Sequence, residues 1–222
     1  MKSVRFLVPP TLEQDFNEVL TTDIAQEVMV NFDPENKERV IFYKVKNRSK
    51  FDNSDNNSWI RMGLSSKIKK GDYLSDSLYN YLVTWTPYQK DLNSIEAQIQ
   101  ICNAKFTFQR WQRQQIDCNG NTVSPAGYKD IASDIWCVAW RLGYYDYRPK
   151  SGGVGTIPVN SIQIILQYNE HTHDISISDV FYWKDIFYEV ADIEYTQLNP
   201  DEDSGLLVLY AVKKVGESNV EF

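Results

Sequence analysis

Short apolar and aromatic runs separated by polar stretches are the dominant pattern along this 222-residue chain. Enrichment in β-branched and aromatic residues is typical of strands. Asn119-Gly120 lies between two such runs, which predicts a hairpin turn. The segment 128–140 fits either a short helix or a strand. The chain is therefore predicted to be mainly β, with its main strands at 39–46, 79–85, 94–114, 161–168, 186–196 and 206–215.

One segment near the start has a helical pattern instead. Thr11 can cap a helix and has Gln14 three positions later, the spacing of a capping box. The apolar residues of this segment share one helical face, namely Leu12, Phe16, Val19 and Leu20. We therefore predict an N-terminal helix, followed by a loop at 31–37.

Two segments that lie 107 residues apart repeat one pattern. The first begins at Lys67 and the second at Asp174. A repeat of this kind indicates two related antiparallel β modules, each a small barrel or sandwich. We predict the first module in residues 1–100, with the N-terminal helix and a polar arm at 47–58, and the second in 101–222. The matched pairs are Ile68 with Ile175, Asp72 with Asp179, Tyr81 with Tyr188, and Val83 with Val190.

Composition narrows the class of protein. Hydrophobic residues make up 42% and aromatic residues 14%, enough to fill a core and to leave Tyr and Trp at interfaces. No apolar run reaches the length of a membrane span, and the start lacks the features of a secretion signal, so neither is expected. Three cysteines without a CxxC pair predict reduced thiols that are buried as small apolar side chains.

Charge is unevenly distributed. The net charge is −7, yet residues 37–70 contain ten basic and three acidic side chains, while 169–222 contain three basic and twelve acidic ones. The two regions form either separate solvated faces or complementary surfaces for head-to-tail packing of identical subunits. The interface candidates are Lys67, Lys69 and Lys70 on the basic side, and Asp201, Glu202 and Asp203 on the acidic side.

Catalytic and metal-binding patterns are weak. His171 and His173 are the only histidines, and a zinc site usually needs a third protein ligand that no spacing here supplies. A turn is the expected structure for them. No nucleophile motif or phosphate-binding loop is evident, so we expect no enzyme activity, no cofactor and no metal. Aromatic residues among the basic ones of 37–70 allow passive contact with DNA, but the overall acidity opposes tight binding.

The chain contains a Gly-Asp turn, a Tyr-Leu-Val return strand, and an Asn-x-x-Thr stretch that precedes Tyr-x-Val. The residues of these motifs are Gly71, Asp72, Tyr81, Leu82, Val83, Asn169, Thr172, Tyr188 and Val190. In these motifs, residues 60–215 resemble small structural proteins of the head–tail module of tailed bacteriophages. The resemblance implies a virion neck component that forms a homo-oligomeric ring between portal and tail around the DNA channel, after assembly in the host bacterial cytoplasm. Its partners would be other neck, portal or tail proteins. A carbohydrate-binding module of a baseplate or tail fibre is the alternative.

Overall fold

The computed structural model describes residues 10–43, 57–89, 93–119, 121–142, 161–195, 197–199 and 204–214. The chain divides into two compact units, residues 1–102 and 103–222. Within the described residues, each unit is built around a closed antiparallel barrel of six strands with its own apolar core. The prediction of a mainly β chain with two antiparallel modules and an N-terminal helix is confirmed.

The first unit begins with a helix and continues with strands. Val28, Val40 and Ile60 are fully buried in its core, which explains the alternating apolar positions of their strands. The barrel order is β3-β2-β1-β4-β5-β7, closed by pairing of β7 with β3, and β6 pairs with β7 beside β5. The elements are α1 (Pro10–Leu20), β1 (Gln26–Val30), β2 (Asp33–Tyr43), β3 (Asn57–Met62), β4 (Tyr73–Ser75), β5 (Asn80–Val83), β6 (Tyr88–Gln89) and β7 (Ile95–Ile101).

The second unit contains a barrel and a separate hairpin. Phe106, Phe108, Phe181 and Tyr188 pack together in its core with ring centroids 4.7 to 6.2 Å apart. The strands are β8 (Ala104–Gln112), β9 (Gln115–Ile116), β10 (Thr122–Ser124), β11 (Gly127–Arg141), β12 (Ile162–Tyr168), β13 (Val180–Trp183), β14 (Ile186–Glu194) and β15 (Gly205–Lys213). The barrel order is β11-β12-β15-β14-β13-β8, and among the described residues β9 pairs only with β10.

The two barrels have the same topology. In each, the first barrel strand pairs with the second and the fourth, and the sixth pairs with the third and the fifth. The second and third strands pair, as do the fourth and fifth. The matched repeat segments fall on equivalent strands, β4 and β5 in one barrel and β13 and β14 in the other. The predicted 107-residue repeat is therefore a repeat of structure.

Three local predictions differ from the structure or are only partly tested by it. The ambiguous segment 128–140 lies in strand β11, and two register shifts against β8 explain its irregular apolar spacing. The predicted loop at 31–37 is wrong, because Asn31 and Phe32 form a tight turn with positive φ and β2 begins at Asp33. The hairpin around Asn119 is confirmed by β9 and β10, although Gly120 lies outside the described residues.

The cysteine prediction needs one correction. All three thiols are free, and Cys102 and Cys137 are buried as predicted. Cys118 is exposed, because it lies in the turn of the β9–β10 hairpin, outside the barrel core. Residues 47–56, which are most of the predicted arm, lie outside the described residues. In the described parts of the chain, no helix is long and apolar enough to cross a membrane.

Candidate assembly interface

The three candidate lysines lie on one loop of the first barrel. This loop, residues 63–72 between β3 and β4, is called the lysine loop below. Lys67 and Lys69 are exposed and Lys70 is half-buried. Burial lowers the pKa of Lys70 from its ordinary value. The structure therefore places the three sequence-predicted basic residues on a single surface segment.

Two carboxylates hold the backbone of the lysine loop. Glu38 of β2 accepts hydrogen bonds from the Lys67 backbone N–H, at 2.9 Å, and from the Ser66 hydroxyl. Asp72 accepts the Lys69 N–H at 2.7 Å. These bonds fix the main chain of the loop, from which the exposed Lys67 and Lys69 side chains extend.

Asp72 also connects the lysine loop to the β1–β2 turn. Its Oδ1 accepts a hydrogen bond of 2.9 Å from the Asn31 side-chain amide, whose own oxygen accepts the Tyr73 N–H. Burial raises the pKa of Asp72 above its ordinary value, while the hydrogen bonds from Asn31 and Lys69 act in the opposite direction. The carboxylate is therefore a structural part of the turn.

The second barrel has an equivalent segment, residues 170–179 between β12 and β13, called the acidic turn below. Asp179 accepts the Ser176 N–H at 2.8 Å, the contact that Asp72 makes with Lys69. The backbone carbonyl of Asp179 accepts a hydrogen bond of 2.8 Å from the Val190 N–H. The backbone carbonyl of Asp72 likewise accepts one of 2.9 Å from the Val83 N–H. The lysine loop and the acidic turn thus share one backbone hydrogen-bond pattern.

The two segments carry opposite charge. At the offset of 107, Lys67, Lys69 and Lys70 correspond to Asp174, Ser176 and Ile177. The carboxylates of the acidic turn reach solvent, since the side chains of Glu170 and Asp174 are 84% and 68% exposed. Equivalent positions of two barrels with the same topology therefore present a basic and an acidic surface.

Arg110 of β8 anchors the acidic turn. Its guanidinium binds the buried Asp179 carboxylate through Nε at 2.7 Å and Nη2 at 2.9 Å. The same Nη2 lies 2.6 Å from the Asp174 carbonyl oxygen and 2.6 Å from the Ser176 hydroxyl. The hydrogen bonds to Asp179 raise the pKa of Arg110. One side chain thus fixes three residues of the turn.

His171 and His173 lie within this turn, as the sequence predicted. The Nδ1 of His173 is 2.7 Å from the Glu170 carbonyl oxygen, and its Nε2 is 3.2 Å from Asp174. The buried Thr172 holds the turn by donating its hydroxyl to the carbonyl of Gln167 at 2.7 Å. In the part of the chain that the structure describes, no group of three or more His, Cys, Asp or Glu could hold a metal ion.

The structure does not test the acidic side of the predicted interface. Asp201, Glu202 and Asp203 lie outside the described residues. Sequence reasoning did not select Glu170 or Asp174 as interface residues. The signal was available, because the alignment that matches Ile68 with Ile175 also places Asp174 opposite Lys67.

An aromatic cluster on the second barrel was also missed. Trp111 is 55% exposed and packs edge-on against Tyr128, with ring centroids 5.1 Å apart. Tyr128 contacts Phe187 at 5.6 Å, and the Nζ of Lys214 lies 5.2 Å from the Tyr128 centroid. These residues come from β8, β11, β14 and the end of β15, so no local pattern joins them.

Comparison with known proteins supplies one match. Residues 145–212 match the family model of the YomX C-terminal domain, a phage-derived protein family. The match spans β12 to β15 and therefore includes the acidic turn. No curated protein and no solved structure matches the chain. The family match indicates a phage-associated protein.

Proposed function

We propose that this protein is a structural component of a phage virion neck, where it forms a ring between portal and tail around the DNA channel. The observation that carries the proposal is the match of residues 145–212 to the phage-derived YomX C-terminal domain, in a chain that also resembles head–tail proteins over residues 60–215. The role is structural and not enzymatic. The chain would assemble in the host cytoplasm and remain in the virion.

The charge of the chain suits a channel through which DNA passes. Tight non-specific DNA binding comes mainly from neutralising phosphates with Lys and Arg. A chain with net charge −7 opposes such binding, while the exposed Lys67 and Lys69 allow local contact with the backbone. In a neck ring, DNA would contact the protein only transiently as it passes through the channel. The stable partners would be further copies of this chain and other neck, portal or tail proteins.

Loss of the protein from the phage tests this proposal. A neck component joins two structures that assemble separately, so its absence should leave DNA-filled heads and free tails. Electron microscopy of particles carrying a tagged copy should place the label as a ring at the head–tail junction. Joined, infectious particles without the protein, or label only at the tail tip, would overturn the neck proposal.

The aromatic cluster favours a second candidate, a carbohydrate-binding module of a baseplate or tail fibre. The Trp111 ring is exposed and packs against Tyr128. Aromatic rings with one solvent-exposed edge are common at binding surfaces. Trp111→Ala discriminates the two functions. In a carbohydrate-binding module the variant should give complete particles that adsorb poorly to host cells. In a neck protein, adsorption of the assembled particles should not change.

A further inference from the structure

We propose that the lysine loop of one copy docks against the acidic turn of the next copy, so that first-barrel to second-barrel contacts close the ring. The inference rests on the proposed ring function and names the surfaces that would form its repeated interface. The partner is a second copy of this chain. The two segments carry opposite charge at equivalent positions of the same topology.

Charge selects this pairing over the symmetric ones. Contact between two lysine loops, or between two acidic turns, would bring like charges together, and like charges that meet in an interface strongly disfavour association. Contact between unlike segments brings Lys67 and Lys69 toward Glu170 and Asp174. A heterologous contact of this kind repeats head to tail and generates a ring when the rotation closes.

Both surfaces are fixed before they meet. Glu38 and Asp72 hold the main chain of the lysine loop, and Arg110 with Thr172 holds that of the acidic turn. Rigid segments lose little conformational entropy on docking, and this lowers the cost of association. The charged side chains therefore extend from a main chain that does not have to move when two copies associate.

Ile177, near the end of the acidic turn, would supply an apolar contact. It is 58% exposed and occupies the position that corresponds to Lys70. The aliphatic stems of lysine side chains can cover such a residue while their ammonium groups reach carboxylates. Exposed ion pairs contribute little affinity each, so charge would set the register while buried apolar area supplies the affinity.

The experiment exchanges the charges. One variant carries Lys67→Glu and Lys69→Glu, and a second carries Glu170→Lys and Asp174→Lys. Lys70 is left unchanged because it is half-buried. Each variant alone should show association between copies weaker by about tenfold or more, because like charges then face each other. An equimolar mixture of the two, and a chain carrying all four substitutions, should recover it.

The readout is zero-length carbodiimide cross-linking of a mixture of ¹⁴N- and ¹⁵N-labelled protein, followed by mass spectrometry. Hybrid-mass cross-links report contacts between copies. Wild-type protein should give hybrid products that join the lysine loop to Glu170 or Asp174. These products should decline in high salt, since screening reaches about 8 Å at physiological ionic strength and about 3 Å at 1 M. Far-ultraviolet circular dichroism would show that each variant remains folded.

Arg113→Glu with Lys129→Glu is the matched control. Both residues are exposed, and the pair changes net charge by the same amount as the lysine-loop variant. The control should cross-link as wild type does. If it weakens association equally, net charge and not the lysine loop is responsible, and the inference is wrong.

The remaining outcomes separate the inference from the neck proposal. Cross-links confined to single copies, or charge reversals without effect on rings seen in virions, would overturn the docking contact and leave the neck assignment intact. Hybrid cross-links in purified protein, with no label at the neck of virions, would uphold the contact and overturn the neck assignment.

Discussion

Arg110 and Asp179 form a two-point ion pair between residues 69 positions apart, with N–O distances of 2.7 and 2.9 Å. The Asp179 side chain is 1% exposed and that of Arg110 is 40% exposed. Arg110→Met would leave a buried carboxylate without its guanidinium partner. We expect the free energy of unfolding to fall by about 2–4 kcal/mol, below the cost for a fully buried pair because Arg110 is partly hydrated.

Urea denaturation of the wild type and of Arg110→Met measures this loss. Arg113→Met is the control, since Arg113 is an exposed arginine near the end of the same strand and should change stability by less than about 0.5 kcal/mol. Equal, small effects of the two substitutions would show that the ion pair does not hold the acidic turn in place.

Asp72 predicts a dependence of stability on pH. Burial raises its pKa above the ordinary value of 3.8, so the folded state holds this proton more tightly than the unfolded chain. The contribution of Asp72 to the free energy of unfolding therefore decreases as pH rises from below 3.8 through the raised pKa. The protein therefore loses this stability as pH increases, whereas a carboxylate with a depressed pKa adds stability as pH increases.

Asp72→Asn removes the titration. The free energy of unfolding of wild type minus that of Asp72→Asn should decline as pH rises from below 3.8 through the raised pKa, and then level off. Thermal or urea denaturation across this range gives the difference directly. A difference that rises with pH would mean that the hydrogen bonds from Asn31 and Lys69, and not burial, dominate the pKa of this carboxyl.

Thiol reactivity should separate the three cysteines. Burial raises the pKa of Cys102 to about 12, and Cys137 is completely buried, whereas Cys118 is exposed. The thiolate is the reactive form, so a disulfide reagent at neutral pH should modify Cys118 rapidly and the other two only on unfolding. Cys118→Ser should abolish the fast phase. If a thiol of that variant still reacted rapidly, the burial of Cys102 and Cys137 would be contradicted.

The sequence predicted those features that depend on residues close together along the chain. Runs enriched in β-branched and aromatic residues predicted the β class, helical spacing predicted α1, and the matched Ile68 and Ile175 segments predicted the two modules. Strand β11 was ambiguous, because each bulge shifts the inward-facing positions by one and breaks the period of two. The turn at Asn31 was missed because no glycine marks it, although Asn31 and Phe32 both have positive φ.

The candidate site was only half predictable for a related reason. Three lysines close together in sequence necessarily lie close together in space. Arg110, by contrast, reaches Asp179 only because β8 and β13 are neighbours in the closed barrel. The Trp111 cluster likewise depends on which strands meet. Contacts between distant segments require the topology first, and the sequence alone does not provide it.

Gly71 and Ser178 occupy equivalent positions in the lysine loop and the acidic turn, and both have positive φ, 96° and 74°. Each N–H donates to the carbonyl of the matching valine, Val83 or Val190. An L residue in this region is strained by about 1–3 kcal/mol, while glycine is not. Gly71→Ser should therefore reduce the free energy of unfolding by about 1–2 kcal/mol, because its φ lies further from the left-handed helical minimum.

The reciprocal substitution should behave differently. Ser178→Gly relieves backbone strain, but it also increases the conformational entropy of the unfolded chain, and the two effects oppose each other with similar size. We expect a change within about 0.5 kcal/mol in either direction. Paired urea denaturation curves of both variants provide the measurement. A neutral Gly71→Ser together with a costly Ser178→Gly would show that the two turns differ in backbone conformation, and the structural equivalence of the lysine loop and the acidic turn would fail with it.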